Sequence, residues 1–62
     1  MSSVISTEDL GQSFHLDTLR NDDGHIYYRI CTRGSCRYVE DLWMAMMYAE
    51  SMGWLPPDRS TH

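Results

Sequence analysis

Two cysteines and one of the three histidines are the residues of this chain whose types and spacing could support covalent or metal chemistry. Cys31 and Cys36 flank the segment "TRGS", which is typical of a tight turn between two strands. Across such a turn the two sulfurs would lie opposite each other, within disulfide range. Three interpretations remain open: two free thiols, which we expect in a reducing cytoplasm, a cross-strand disulfide, or a zinc site.

A zinc site would need more than these two sulfurs. If the segments on either side of "NDDG" pair as strands, His15 lies across from Cys31 and on the same face as Cys36. Structural zinc takes four ligands, and no fourth is evident because His25 lies beyond the far end of the second strand. We therefore predict no metal and no cofactor, and keep His15, Cys31 and Cys36 as an alternative metal-binding set.

The sequence holds no recognisable catalytic constellation. It lacks the nucleotide-binding, serine-hydrolase and zinc-protease motifs. The adjacent acids Asp22 and Asp23 are better explained by turn chemistry, and a domain of 62 residues has little room for a closed pocket. We predict that the protein is not an enzyme.

The charge distribution is uneven. The net charge is −4 and all five basic residues are arginines, three of which lie in the central segment 25–39 between two acidic flanks. An acidic total disfavours nonspecific nucleic-acid binding, which requires neutralised phosphates. The alternative is a nucleic-acid-binding module in which the central arginines contact phosphate or guanine and two tyrosines stack on bases. Its candidate residues are Arg29, Arg33 and Arg37, with Tyr27 and Tyr38.

Large apolar side chains are more numerous in the C-terminal half than one buried helix face requires. At about 100° per residue, Trp43, Met47 and Trp54 share one side of the predicted helix, and Met44 occupies a further part of its circumference. Trp is enriched at interface hot spots, and Met makes adaptable contacts. The candidate partner-binding residues are Trp43, Met44, Met47, Trp54, Tyr27 and Tyr38. The opposing interpretation folds Trp43 over the sheet edge and Trp54 under the proline tail.

The strands and the helix that position these residues are predicted from the spacing of apolar residues, which changes from alternation to a helical period along the chain. Residues 13–20 alternate, "NDDG" is a hairpin signal, and residues 25–32 are rich in β-branched and aromatic types. A second hairpin through "TRGS" leads to a third strand at 35–39. A three-residue first loop pairs Leu16 with Ile30 and Asp17 with Arg29.

A helix is predicted over about 40–52. Glu40 and Asp41 suit its positive end, and Gly53 is a natural stop. The predicted fold is α+β: a three-stranded antiparallel β-meander packed on one C-terminal α-helix, in the order β-β-β-α. Residues 13–55 form this single domain, 1–12 are a flexible tail or one short helical turn, and 56–62 are an extended tail.

The function predicted from these patterns is that of a small acidic regulatory or adaptor protein. It would inhibit or modulate a larger machine by protein–protein contact and would self-associate, because a 62-residue core is thin and dimerisation supplements it. The chain has no secretory signal pattern and no apolar run long enough for a membrane span, so we expect a cytoplasmic location without membrane attachment. No known family is recognisable in the sequence.

Overall fold

The sheet has four strands, one more than the sequence predicts. A computed structural model of the protein describes residues 3–56, in which the strands are joined in chain order as an antiparallel meander followed by one helix. This confirms the α+β class and the C-terminal helix, and it corrects the strand number. The elements are β1 (Ser3–Gly11), β2 (Phe14–Arg20), β3 (Ile26–Thr32), β4 (Ser35–Val39) and α1 (Leu42–Ser51).

The additional strand is β1, formed by residues for which we expected a flexible tail or one helical turn. It pairs along the outer edge of β2, with irregularities between Val4 and Ser6 and between Asp9 and Gly11. Strand β2 therefore pairs with β1 on one edge and with β3 on the other, and residues on both of its faces are buried. The β1–β2 turn uses Gln12 and Ser13 at φ 59° and 71°, the positive values of a type I′ hairpin turn, without the glycine that usually marks one.

The two predicted hairpins and their registers are confirmed. Leu16 lies opposite Ile30, Asp17 opposite Arg29, and Cys31 opposite Cys36. The first loop closes with a hydrogen bond from the Asn21 backbone N–H to the His25 carbonyl, 3.0 Å. Loop length therefore fixes which side chains share a face, as expected for period-two strands.

Helix α1 begins two residues later than predicted and ends one residue earlier. Asp41 is its N-cap, because a side-chain oxygen of Asp41 accepts a hydrogen bond from the Met44 backbone N–H at 2.8 Å. At the other end Gly53 has φ 107°. There the Trp54 N–H returns to the Ala49 carbonyl at 3.0 Å, which closes the last turn. The predicted glycine stop is confirmed.

The main core lies between α1 and one face of the sheet, and its two alanines let the helix approach β3 and β4 closely. Strand alternation predicts Ile26 on the core face, and the helical period predicts Leu42 and Met52 on the helix side facing the sheet, but all three are exposed. The predicted tail at 56–62 lies outside the described residues except for Pro56. The buried core consists of Phe14, Leu16, Ile30, Ala45, Ala49 and Trp54.

Candidate functional site

The side of α1 that faces away from the sheet carries three exposed apolar residues. Trp43 is 69% exposed, Met47 is 50% exposed, and Met44 is also exposed. Trp43 and Met47 are four positions apart, so they are neighbours on the helix surface. We call Trp43, Met44 and Met47 the outer helix face. All three were predicted as partner-binding residues, and the structure leaves them accessible.

Trp54 does not belong to the outer helix face. The helical period places it beside Trp43, but the structure buries it to 7% exposure in the core. The helix ends before Trp54, and the left-handed Gly53 turns the chain back toward the sheet. The Trp54 indole N–H then donates to the Leu10 carbonyl at 2.9 Å. Trp54 therefore joins the end of the helix to β1, and its assignment to a partner surface is corrected.

The two predicted tyrosines lie on the other side of the sheet, away from α1. Tyr38 is exposed, Tyr27 is half-buried, and their ring centroids are 6.0 Å apart. The candidate partner-binding residues therefore divide into two separate surfaces. Tyr27 and Tyr38 border a polar cluster on the sheet, whereas the outer helix face is apolar.

That polar cluster is a row of four side chains, one from each strand. Thr7, Asp17, Arg29 and Tyr38 are successive cross-strand partners. The Thr7 hydroxyl donates to Asp17 Oδ1 at 2.7 Å, and the Arg29 guanidinium donates twice to Asp17 Oδ2, at 2.8 and 2.6 Å. Arg29 also donates to the Tyr38 hydroxyl at 3.4 Å. The Asp17 side chain is 4% exposed, so this is a buried carboxylate with its donors supplied.

Two opposing effects set the pKa of Asp17. Burial raises the pKa of its carboxyl, but the hydrogen bond from Thr7 and the hydrogen bonds and positive charge of Arg29 outweigh it, so the pKa lies below its ordinary value. Arg29 responds in the opposite direction, because its hydrogen bonds to Tyr38 and Asp17 raise its pKa. Both partners therefore stay charged at neutral pH.

Asp17 should make the stability of the fold depend on acid. Because its pKa is lower in the folded state, its contribution is present above the unfolded carboxyl pKa of about 3.9 and is lost as the pH falls through the folded value. We expect Asp17→Asn to lower the free energy of unfolding at neutral pH by about 1–3 kcal/mol. In the variant, the free energy of unfolding should also decrease less as the pH falls. Urea unfolding between neutral and strongly acidic pH measures both effects.

The matched control for this prediction is Asp23→Asn, which removes a carboxylate from the exposed β2–β3 turn. It should leave the acid decline close to that of the wild type. Parallel curves for wild type and Asp17→Asn would show that Asp17 does not govern the acid dependence.

The three candidate nucleic-acid arginines are not brought together. Arg29 is paired with Asp17 on the sheet face away from α1. Arg37 lies on the helix side, with its guanidinium carbon 5.2 Å from the Tyr48 ring centroid, and Arg33 lies in the β3–β4 turn. A phosphate-binding surface needs its cations on one face, so this arrangement does not favour the nucleic-acid hypothesis.

The two cysteines are joined in a disulfide, with their Cα atoms 4.1 Å apart. We expected free thiols, so the structure supports the second of the three interpretations. Direct cross-strand pairing of Cys31 and Cys36 places their side chains on one face and accounts for the bond. The third interpretation retains a geometric basis, because the ligand atoms of His15, Asp17 and Cys31 all lie within 4.8 Å of one another.

Sequence reasoning missed two features of the site. These are the contribution of Thr7 and the position of Asp17 among the potential metal ligands. Thr7 could not be placed without β1, and "SVISTEDLG" gives only a weak strand signal through Val4, Ile5 and Thr7. The opposition of Asp17 and Arg29 was predicted, but not the burial of the pair. A buried position on the uncovered sheet face is not encoded in strand alternation.

Comparisons with protein families, with curated proteins and with solved structures found no match to this chain. Within residues 3–56, no helix has the length and apolar character needed to cross a membrane. The functional argument therefore depends on the site geometry.

Proposed function

We propose that this protein is a small regulatory or adaptor protein without catalytic activity, which binds another protein through its outer helix face. One observation carries the proposal. Seven of the ten residues of α1 are Leu, Trp, Met or Ala, and Glu50 is its single charged residue. A helix that is apolar around its circumference is normally buried on all sides, but here the sheet covers only one side.

The residues of the outer helix face suit protein binding. Trp43 offers a large rigid surface with few rotatable bonds, and tryptophans of this kind dominate measured binding energies. Met44 and Met47 can adapt to the shape of a partner. None of the three is needed to fill the core, because Ala45 and Ala49 make the helix–sheet contact.

Acidic groups border the outer helix face at both ends of the helix. Glu40 and Asp41 precede α1, Glu50 lies in its last turn, and the whole chain carries a net charge of −4. A partner with an apolar cleft and a basic rim would complement this surface, and the opposite charges would speed association. When that partner is absent, two copies pair through the same face, which adds buried surface to a small core.

The proposed location is the cytoplasm. In that compartment glutathione and thioredoxin keep thiols reduced, so the Cys31–Cys36 bond would be open in most molecules. Thiol labelling of the protein in intact cells measures this directly. A fully oxidised pair in every molecule would place the protein in an oxidising compartment instead.

A double substitution, Trp43→Ala with Met47→Ala, tests the proposed interface. Because both side chains are exposed in the monomer, we expect the variant to keep its circular dichroism spectrum and unfolding midpoint. Its self-association, measured by sedimentation at increasing protein concentration, should weaken by about thirtyfold or more in Kd, corresponding to a hot-spot loss of about 2 kcal/mol. In affinity capture from the native lysate, the variant should no longer retain the partner protein that the wild type retains.

The control is Val4→Ala with Ile5→Ala, which truncates two exposed apolar side chains on β1 instead of on the helix. It should associate and capture like the wild type. If both double variants behave alike, the outer helix face is not the interface. If the wild type is monomeric and captures the same proteins as the helix variant, the proposed function is wrong.

A further inference from the structure

The sheet face away from α1 carries a row of metal-ligating side chains that the proposed function does not use. His15 of β2 lies opposite Cys31 of β3, which lies opposite Cys36 of β4. Asp17, two positions after His15, points to the same face. The ligand atoms of His15, Asp17 and Cys31 are already within 4.8 Å of one another.

We propose that reduction of the Cys31–Cys36 disulfide creates a zinc-binding site. Its four ligands are the two sulfurs, a His15 ring nitrogen and an Asp17 carboxylate oxygen. Thiolate, imidazole and carboxylate are all zinc ligands, and four of them complete a tetrahedral site. With Zn–S bonds of about 2.3 Å the two sulfurs would lie roughly 3.7 Å apart, a spacing that neighbouring strands can provide once the covalent bond is broken.

Asp17 supplies the fourth ligand that sequence reasoning lacked. Thr7 and Arg29 hold its carboxylate in place. Metal-binding carboxylates are usually fixed by such hydrogen bonds from outside the site. Oδ1 accepts only the Thr7 bond among those described, so one of its two lone-pair positions can face a metal ion. The Asp17–Arg29 pair therefore need not break when zinc binds.

The local charges balance. Two thiolates and one carboxylate bring three negative charges, and Zn²⁺ leaves one of them uncompensated. The Arg29 guanidinium, in contact with Asp17, offsets that remaining charge. An electropositive neighbour also favours the thiolate form that metal binding needs. Arg29 thereby acquires a role in the reduced protein as well as in the fold.

A hydrated ion can reach the site. His15 and Cys36 are exposed, while Asp17 and Cys31 form the buried floor. An open depression beside them is lined by Thr7, Asp9, Ser13, Phe14 and His15. The ion would enter from the His15 side and would lose its water as the sulfurs bind.

Oxidation and zinc binding exclude each other, since both use the same sulfur atoms. A dithiol reductant gives two electrons and two protons to the disulfide, which opens to two thiols while the reductant closes to its own disulfide. Zinc then displaces the two thiol protons, and reoxidation releases the ion. The site thus binds zinc only under reducing conditions, independently of the outer helix face.

Cobalt titration of the full chain tests the site, because Co²⁺ replaces Zn²⁺ and reports thiolate and tetrahedral ligation by its absorption. A phosphine reductant opens the disulfide by taking oxygen from water to form the phosphine oxide, leaving two thiols. We expect the reduced wild type to develop a thiolate-to-cobalt band that saturates at one Co²⁺ per chain and is bleached by Zn²⁺. The oxidised wild type should show no band.

His15→Ala and His25→Ala form a matched pair, since both histidines are exposed and only His15 lies in the row. His25→Ala should bind Co²⁺ like the wild type. His15→Ala should bind more weakly by at least the roughly 10- to 100-fold that follows loss of a ligand's supporting hydrogen bond. Equal binding by these two variants, binding by the oxidised wild type, or no band after reduction would each overturn the site. So would a reduced chain that loses its circular dichroism spectrum and does not recover it with Zn²⁺.

Discussion

Trp54→Ala should remove most of the folding stability of the protein. Truncation of a buried tryptophan costs about 3–5 kcal/mol, and a 62-residue domain has a total stability of roughly 3–9 kcal/mol. The indole packs in the core between the helix and the sheet, and its N–H is bonded to the Leu10 carbonyl. Loss of the indole would leave a cavity in the core and would also remove the hydrogen bond to the edge strand β1. Circular dichroism and urea unfolding measure the effect.

Two further variants separate the contributions of Trp54. Trp54→Phe keeps an aromatic ring in the core but removes the N–H donor, and we expect a smaller loss of about 1–3 kcal/mol. Trp43→Ala removes an indole that is mostly solvent-exposed, so its effect on the free energy of unfolding should stay within about 0.5 kcal/mol. Similar destabilisation by Trp43→Ala and Trp54→Ala would contradict the assignment of one tryptophan to the core and the other to the surface.

The contrast between the two tryptophans shows where sequence reasoning failed. The helical period was extended past Gly53 to Trp54, although the chain reverses at the glycine and the period no longer applies. Position on a helical wheel predicts a face only for residues inside the helix. The stop at Gly53 was itself predicted, so the two inferences from the same segment were inconsistent.

The two central hairpins could be predicted because their signals are local. Alternation and the length of the "NDDG" loop predict the register of β2 and β3, with Asp17 opposite Arg29, and the "TRGS" turn predicts Cys31 opposite Cys36. Strand β1 gave no comparable signal. Its turn adopts positive φ at Gln12 and Ser13, where no glycine marks the turn, so the residues gave no local sign of this hairpin.

Whether a candidate site could be derived from the sequence depends on whether it includes a residue of β1. The missing strand supplies Thr7, so the polar row and the support of the Asp17 carboxylate could not be derived from sequence. The outer helix face, in contrast, depends only on which side of α1 meets the sheet. The helical period predicts that side from the stripe Leu42, Ala45, Met46, Ala49 and Met52, of which Leu42 and Met52 are exposed in the structure.

Arg29→Met should be the most destabilising change outside the main core. It leaves the buried Asp17 carboxylate with the Thr7 hydroxyl as its remaining described donor. Removing one partner of a buried ion pair costs about 3–5 kcal/mol, and we expect the lower end because the Arg29 side chain is partly solvated. With the guanidinium absent, burial would raise the pKa of Asp17, so the deficit relative to wild type should shrink as acid protonates the carboxyl.

A second substitution tests whether the unpaired charge is the cause. Asp17→Val combined with Arg29→Met replaces the pair by apolar side chains, and because such replacements are often neutral or better, we expect the double variant to recover most of the lost stability. Arg37→Met is the matched control: it removes an arginine that contacts the Tyr48 ring but no buried acid, and should cost about 1 kcal/mol or less. Urea unfolding of the wild type, Asp17→Val, Arg29→Met and the double variant at neutral and acidic pH gives the coupling between Asp17 and Arg29, and Arg37→Met is measured beside them. If the double variant is no more stable than Arg29→Met, the loss comes from packing of the arginine stem, and the charge pair does not hold this face of the sheet together.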